Sequence, residues 1–125
     1  MKHIVRSQDA PAPLGPYSQG VLTGNELYCS AQAGIDPQTG ELCGSDVAAQ
    51  AERALQNIGA VLDAAGMNFG DVVKTTLFLA DMRDFETVNA VYARYFGESK
   101  PARSTIAVAA LPKGGRVGID AIARV

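Results

Sequence analysis

Between Ser45 and Gly66 the apolar side chains return every three or four residues, at Val47, Ala51, Ala54, Leu55, Ile58, Leu62 and Ala65. Gln50, Arg53, Gln56 and Asp63 fall elsewhere on the wheel, so the segment predicts an amphipathic helix that covers one face of a sheet. Ser45 is placed to cap its start, Asp46 to sit at its positive end, and Gly66 to take the left-handed conformation that closes it. The same spacing recurs at Val88, Val91, Tyr92, Tyr95 and Phe96. It predicts a second helix, capped by Asp84 and stopped by Gly97.

Elsewhere the period falls to two. Residues 71–80, DVVKTTLFLA, are rich in β-branched side chains and read as a strand. The stretch YSQGVLTGNELYCSAQAGIDPQTGEL predicts two strands forming a hairpin, with turns at Gly24-Asn25 and over Asp36 to Gly40. Within it Cys29 alternates with Leu27 and Ala31, the pattern of a small core residue. HIV near the start is a weaker strand, and APAPLGP, with three prolines, is a loop. RSTIAVAAL and VGIDAIARV are two further strands joined by the turn PKGGR.

The order is therefore hairpin, helix, strand, helix and two strands, an α+β domain of two layers. Two helices cover only one face of such a sheet. Yet residues 104–111 are apolar on both faces, and the last strand carries Ile122 opposite its Val117, Ile119, Ala121 and Ala123 set. The surplus apolar face predicts a closed homo-oligomer with any pocket where subunits meet.

Composition narrows the function classes. The 125 residues suit one domain, 1–125, and 47% hydrophobic against 19% charged is globular. A net charge of −2 offers no basic face for nucleic acid or an anionic membrane. No apolar stretch is long enough for a signal peptide or a membrane span, so a cytoplasmic location is expected. Cys29 and Cys43, with His3 as the one imidazole, build neither a disulfide framework nor a metal site. There is no GxGxxG, GxxxxGK[ST], GxSxG or HExxH, which argues against dinucleotide, P-loop, serine-hydrolase and zinc-protease chemistry. GDVVKTT lacks the glycines to cradle phosphate, and Lys74 suits a solvated strand position.

Four polar residues stay unclaimed: Arg103 at a strand entrance, Tyr17 after Gly-Pro, Ser30 in CSAQAG and Asn89 in TVNAVY. An arginine held by packed strands offers a rigid donor fork to a carboxylate, which suits a small 2-oxo or 2-imino acid. By residue type alone, a surface cation paired with a nearby acid is the competing reading of Arg103.

GPYSQG, CSAQAGIDPQTGEL, AQAERALQNIGAVLDAAG, DVVKTTLFLADMRDFETVNAVYARYF and PARSTIAVAALPKGGRVGIDAIA run through nearly the whole chain in order. Together they closely resemble the RidA (YjgF) family, PARS before an apolar strand and LP being the most specific motif. The resemblance implies a chorismate-mutase-like fold with a mixed sheet, two helices on one face, and a homotrimer whose sheets form a central barrel with clefts between subunits. It implies an enamine/imine deaminase that converts 2-aminoacrylate-type intermediates to 2-oxo acids and ammonia, without metal or organic cofactor.

Residue by residue, the resemblance makes Arg103 the carboxylate-binding arginine and Tyr17 the cleft tyrosine. It puts Ser30 and Ala31 on the strand beside the substrate, and Asn89 as the helix asparagine. Thr105, which the resemblance places among the catalytic residues, stands where relatives often carry a cysteine, and its hydroxyl either donates a hydrogen bond or simply packs. Gly118 stands where the best-known deaminases carry a glutamate that holds the attacking water, and Asp120 on the same strand face either reaches the cleft or fills a structural acidic position. A non-catalytic binder of small carboxylates is the alternative function. A ribonuclease or translation inhibitor is disfavoured by the acidic charge and the lone His3.

Overall fold

A computed structural model describes residues 1–125. Six strands form one sheet: β1 Lys2–Val5, β2 Gly20–Thr23, β3 Glu26–Ala33, β4 Val72–Leu79, β5 Ala102–Ala107 and β6 Val117–Arg124. Their spatial order is β1-β2-β3-β6-β4-β5, antiparallel except for the parallel β4–β5 pair. Helices α1, Val47–Ala64, and α2, Phe85–Phe96, pack on one face. The mixed two-layer α+β expectation is met.

The core lies between sheet and helices. Leu55, Ile58 and Val61 of α1 and Val88 of α2 meet Leu27, Leu77, Leu79, Val117 and Ile119, all fully buried. The alternation read in the last strand holds: Val117, Ile119, Ala121 and Ala123 face the helices, while Asp120 and Ile122 stay half-buried on the other side. Two strand-edge contacts require glycine. A Cβ on Gly20 would lie 2.8 Å from Val61 Cγ1, and one on Gly34 only 2.6 Å from the Gln50 Cα.

Helix ends depart from the sequence reading in two places. Asp46, not Ser45, caps α1, its Oδ2 accepting the Ala49 amide at 3.0 Å. Asp84 precedes α2 without a side-chain cap. A 3-10 turn, Met82–Asp84, comes first, and Asp81 caps that turn. Asp84 instead accepts both hydrogen bonds of Arg116 Nη2, each 2.9 Å, tying α2 to the start of β6. Gly66 does adopt the left-handed conformation, with φ +74°.

The strand read through residue 111 ends at Ala107. Its last ladder bond, Val108 N to Leu79 O at 2.8 Å, coincides with the end of β4, whose next residue Ala80 bonds Arg116 O instead. Beyond that point no neighbour remains to pair. β5 is thus a short edge strand whose Ser104, Ile106 and Ala107 are exposed. Tyr28, Val73 and Ile106 are each more than 40% exposed and belong to the apolar surface the helices leave open. No helix is long and apolar enough to cross a membrane.

Candidate active site

Arg103 is the best-prepared cation of the fold. Its position on β5, in register with the fully buried Thr75 of β4, turns it towards α2. The guanidinium carbon lies 4.8 Å from the centre of the Tyr92 ring and 5.4 Å from that of Phe85, and Nη1 donates to Asn89 Oδ1 at 2.7 Å. Two aromatic faces and a neutral amide fix the plane of the group without neutralising it. Arg83, Arg94 and Arg116 all pair with carboxylates, whereas Arg103 does not. The surface-ion-pair reading of Arg103 is thereby corrected.

The aromatic support is itself anchored. Tyr92 Oη and Thr75 Oγ1 share a hydrogen bond of 2.8 Å inside the core. Burial pushes the Tyr92 phenol above its usual range, against the opposing effects of the Thr75 bond and the Arg103 charge. Arg103, Asn89, Tyr92 and Lys100 line a shallow cleft at the C-terminal end of α2.

Tyr17, Ala31 and Gly118 belong to a second cleft of 230 Å³, lined also by Leu14, Ile35 and Leu111. A bulge makes it. Cys29 pairs with Ala121 and Gln32 with Ile119, so three steps on β3 span two on β6. The extra residue reverses the alternation expected at Ala31: Gln32 takes the buried position, and Ala31 is exposed to the cleft. Cys29 keeps its core place, where burial, and then the nearby Asp120 charge, push its thiol up to about 12.

The wall of this cleft is the proline-rich loop, and one buried side chain holds it. Gln19, 2% exposed, accepts the Ser7 amide at 2.6 Å through Oε1. Its Nε2 donates to the carbonyls of Ser7, Ala10 and Pro11 at 3.1, 3.3 and 2.9 Å. The Tyr17 hydroxyl accepts the Leu14 amide at 3.2 Å, folding the loop on itself. Ser30 donates to the Ser18 carbonyl at 2.6 Å and so pins the loop to β3 rather than lining the cleft. From α1, Asn57 Nδ2 donates to the Ala33 and Ile35 carbonyls at 3.1 and 2.9 Å, while its Oδ1 receives Arg53.

Thr105 sits one pleat beyond Arg103 on the same side of β5, opposite Leu77, and lines neither cleft. Asp120 accepts the Thr76 amide at 2.9 Å across the β4–β6 ladder, a structural use of its carboxylate. In one chain, then, Arg103 and Asn89 line one cleft and Tyr17 and Ala31 the other, Ser30 and Thr105 line neither, and β6 and β4 separate β3 from β5. Sequence reasoning missed Gln19, Asn57, Tyr92 and Phe85 as supports. Their signal, a polar or aromatic residue in an otherwise apolar segment, acquires meaning only when the partner in space is known.

The chain matches the family model described as Endoribonuclease L-PSP over residues 7–125. It is 54% identical to the 2-iminobutanoate/2-iminopropanoate deaminase of Bos taurus, over 98% of this chain and 90% of the relative. It is 49% identical to a RutC family protein of Pyrococcus horikoshii, over 98% of both chains. A putative endoribonuclease of Thermotoga maritima superposes with a TM-score of 0.97 at 47% identity, covering 100% of this chain and 98% of that one. E. coli TdcF with bound serine superposes at 0.94 with 43% identity, over 98% of each. Matched nearly end to end in sequence and fold, the chain belongs to the Endoribonuclease L-PSP family, which is the RidA (YjgF) family.

Proposed function

We propose that the protein is a 2-imino acid deaminase, hydrolysing 2-iminobutanoate and 2-iminopropanoate, the latter arising from 2-aminoacrylate, to 2-oxo acids and ammonia. The observation that carries the reading is Arg103, a guanidinium oriented by Tyr92, Phe85 and Asn89 and paired with no carboxylate of its own chain. That is a receptor for the carboxylate every such substrate carries. The bovine relative, more than half identical, bears the name of this activity.

The chemistry demands little of the site. A protonated imine carbon is already electrophilic. Water adds its oxygen to that carbon and one of its protons passes to the nitrogen, the C–N bond breaks so that the nitrogen leaves as ammonia, and the remaining hydroxyl releases its proton to solvent as the carbonyl forms. Holding the carboxylate and presenting one face of the imine to water supplies the acceleration through orientation. Arg103 holds and Asn89 orients. Tyr17, with Ala31 and Ser30 behind it, forms the opposing wall, and Thr105 offers a hydroxyl along the same strand as Arg103.

These parts meet when the edge cleft at Arg103 of one subunit faces the loop cleft at Tyr17 of the next, in a homotrimer. The exposed Ile106 and Tyr28 on the open sheet face support such packing. Light scattering should give three times the chain mass, and a monomer would refute the assembly. A serine or threonine dehydratase supplies the imine for the activity test. Arg103→Ala should lower kcat/KM roughly 10- to 150-fold, the worth of a charged hydrogen bond. A wild type no faster than the variant would refute the deaminase.

A second reading, a binder of small carboxylates, is favoured by Gly118, which brings no carboxylate to the cleft, and by Asp120, committed to the Thr76 amide. Calorimetry with 2-oxobutanoate would then show Arg103-dependent binding without turnover. Ribonuclease chemistry has less support: the one imidazole, His3, is in the edge strand β1, lining neither cleft.

A further inference from the structure

Two glycines lie inside strands, Gly20 in β2 and Gly118 in β6. Helix α1 accounts for Gly20, because a Cβ there would sit against Val61. Nothing in the chain accounts for Gly118. Its φ is not positive, and a Cβ would meet Gln32 O at 3.7 Å, Leu111 Cδ2 at 3.8 Å and Phe78 Cβ at 4.0 Å, all ordinary contacts. Glycine inside a strand is less stable than alanine and marks a place where a ligand or another backbone approaches closely.

Gly118 and its β3 neighbour Ala33 form part of the loop cleft. Leu14, Tyr17, Ile35 and Leu111 rise around them, and no charged side chain lines the cleft at all. A volume of 230 Å³ exceeds what the methyl or ethyl group of the smallest imino acids fills. We propose that Gly118 is a specificity-determining residue: the substrate's side chain lies across the bare backbone of β6 there, which selects 2-imino acids with extended or branched apolar side chains. The proposal rests on the deaminase reading and names its substrate class. Imines with acidic or basic side chains are excluded, since the residues of this cleft give a buried charge no partner and the facing Arg103 is taken by the substrate's own carboxylate.

The test compares imines made in place by an L-amino-acid oxidase from leucine or phenylalanine with 2-iminobutanoate made by threonine dehydratase. Semicarbazide competing for the unhydrolysed imine gives the rate. The wild type should hydrolyse the leucine imine at least as efficiently as 2-iminobutanoate. Gly118→Val should lower the ratio of the two kcat/KM values by roughly 10- to 200-fold, the effect of a methylene-sized misfit in an apolar pocket, and Gly118→Ala by less. The alanine variant keeps the test decisive if valine prevents folding. A ratio that does not move, or a wild type that favours 2-iminobutanoate, overturns the assignment while leaving the deaminase intact. A change in assembly mass in both variants assigns Gly118 to subunit packing and also overturns it. A wild type inactive on every imine refutes the underlying deaminase reading instead.

Discussion

Replacing Gln19 with methionine keeps the length and volume of the side chain and deletes its amide. Four backbone groups lose their partner: the Ser7 amide and the carbonyls of Ser7, Ala10 and Pro11. Ala10 is 3% exposed, so its carbonyl has no water to turn to and costs about 1–3 kcal/mol unpaired. The groups of Ser7 and Pro11 are only partly buried and rehydrate, each losing about 0.5 kcal/mol or more. The sum is roughly 2–5 kcal/mol, with a limit: once that cost exceeds the docking energy of residues 7–17, the loop detaches and the core remains. Urea denaturation should therefore show a loss of about 2 kcal/mol or more. Amide exchange of the loop should rise towards that of an open segment while α1 and β6 stay protected. For imine hydrolysis KM should rise more than kcat falls, because Tyr17 and Leu14 leave the cleft wall. A loss below ~0.5 kcal/mol with unchanged loop exchange would refute the view that one buried amide holds the strap.

Tyr92→Phe and Thr75→Val should each cost about 1–2 kcal/mol by stranding a buried hydroxyl. The double variant should cost less than their sum, and strict additivity in urea denaturation would dismiss the Thr75–Tyr92 bond as an energetic unit. Cys29, raised from 9.0 to about 12 in the folded chain, binds its proton more tightly there than when unfolded. Stability from this group is complete below pH 9 and is lost as pH rises from 9 towards 12, at up to ~1.4 kcal/mol per pH unit. The stability difference between wild type and Cys29→Ala should shift against the wild type between pH 8 and pH 10.5, and a constant difference would contradict it. Gly34→Ala should destabilise by about 1–3 kcal/mol or more, since its Cβ would meet the α1 backbone at Gln50, and a neutral melting temperature would show that α1 can shift.

Helix and strand existence was legible because α1 and α2 repeat their apolar residues at helical spacing and β4 and β6 at alternate positions, and burial against a common core reads that spacing directly. Element ends were less so. Whether Ser45 or Asp46 caps α1 depends on which oxygen reaches the Ala49 amide, and whether Asp84 caps α2 depends on Arg116 arriving from 32 residues away. The strand through residue 111 was cut at Ala107 because its partner β4 ends at Leu79, a property of the neighbour.

The amino-acid sequence by itself determined the two layers, the surplus apolar face and the list of polar residues without a core role, because each follows from local period and residue chemistry. Tertiary structure alone decided what those residues do. The β3 bulge turned Ala31 from the core to a cleft, Tyr92 and Phe85 gave Arg103 its orientation, Ser18 claimed Ser30, and the contacts around its missing Cβ showed that Gly118 lines that cleft with no steric need to be glycine. The physical reason is common to all four: hydrogen bonds, ring stacking and steric room act over a few ångströms between groups far apart in the chain, and no local pattern encodes that separation.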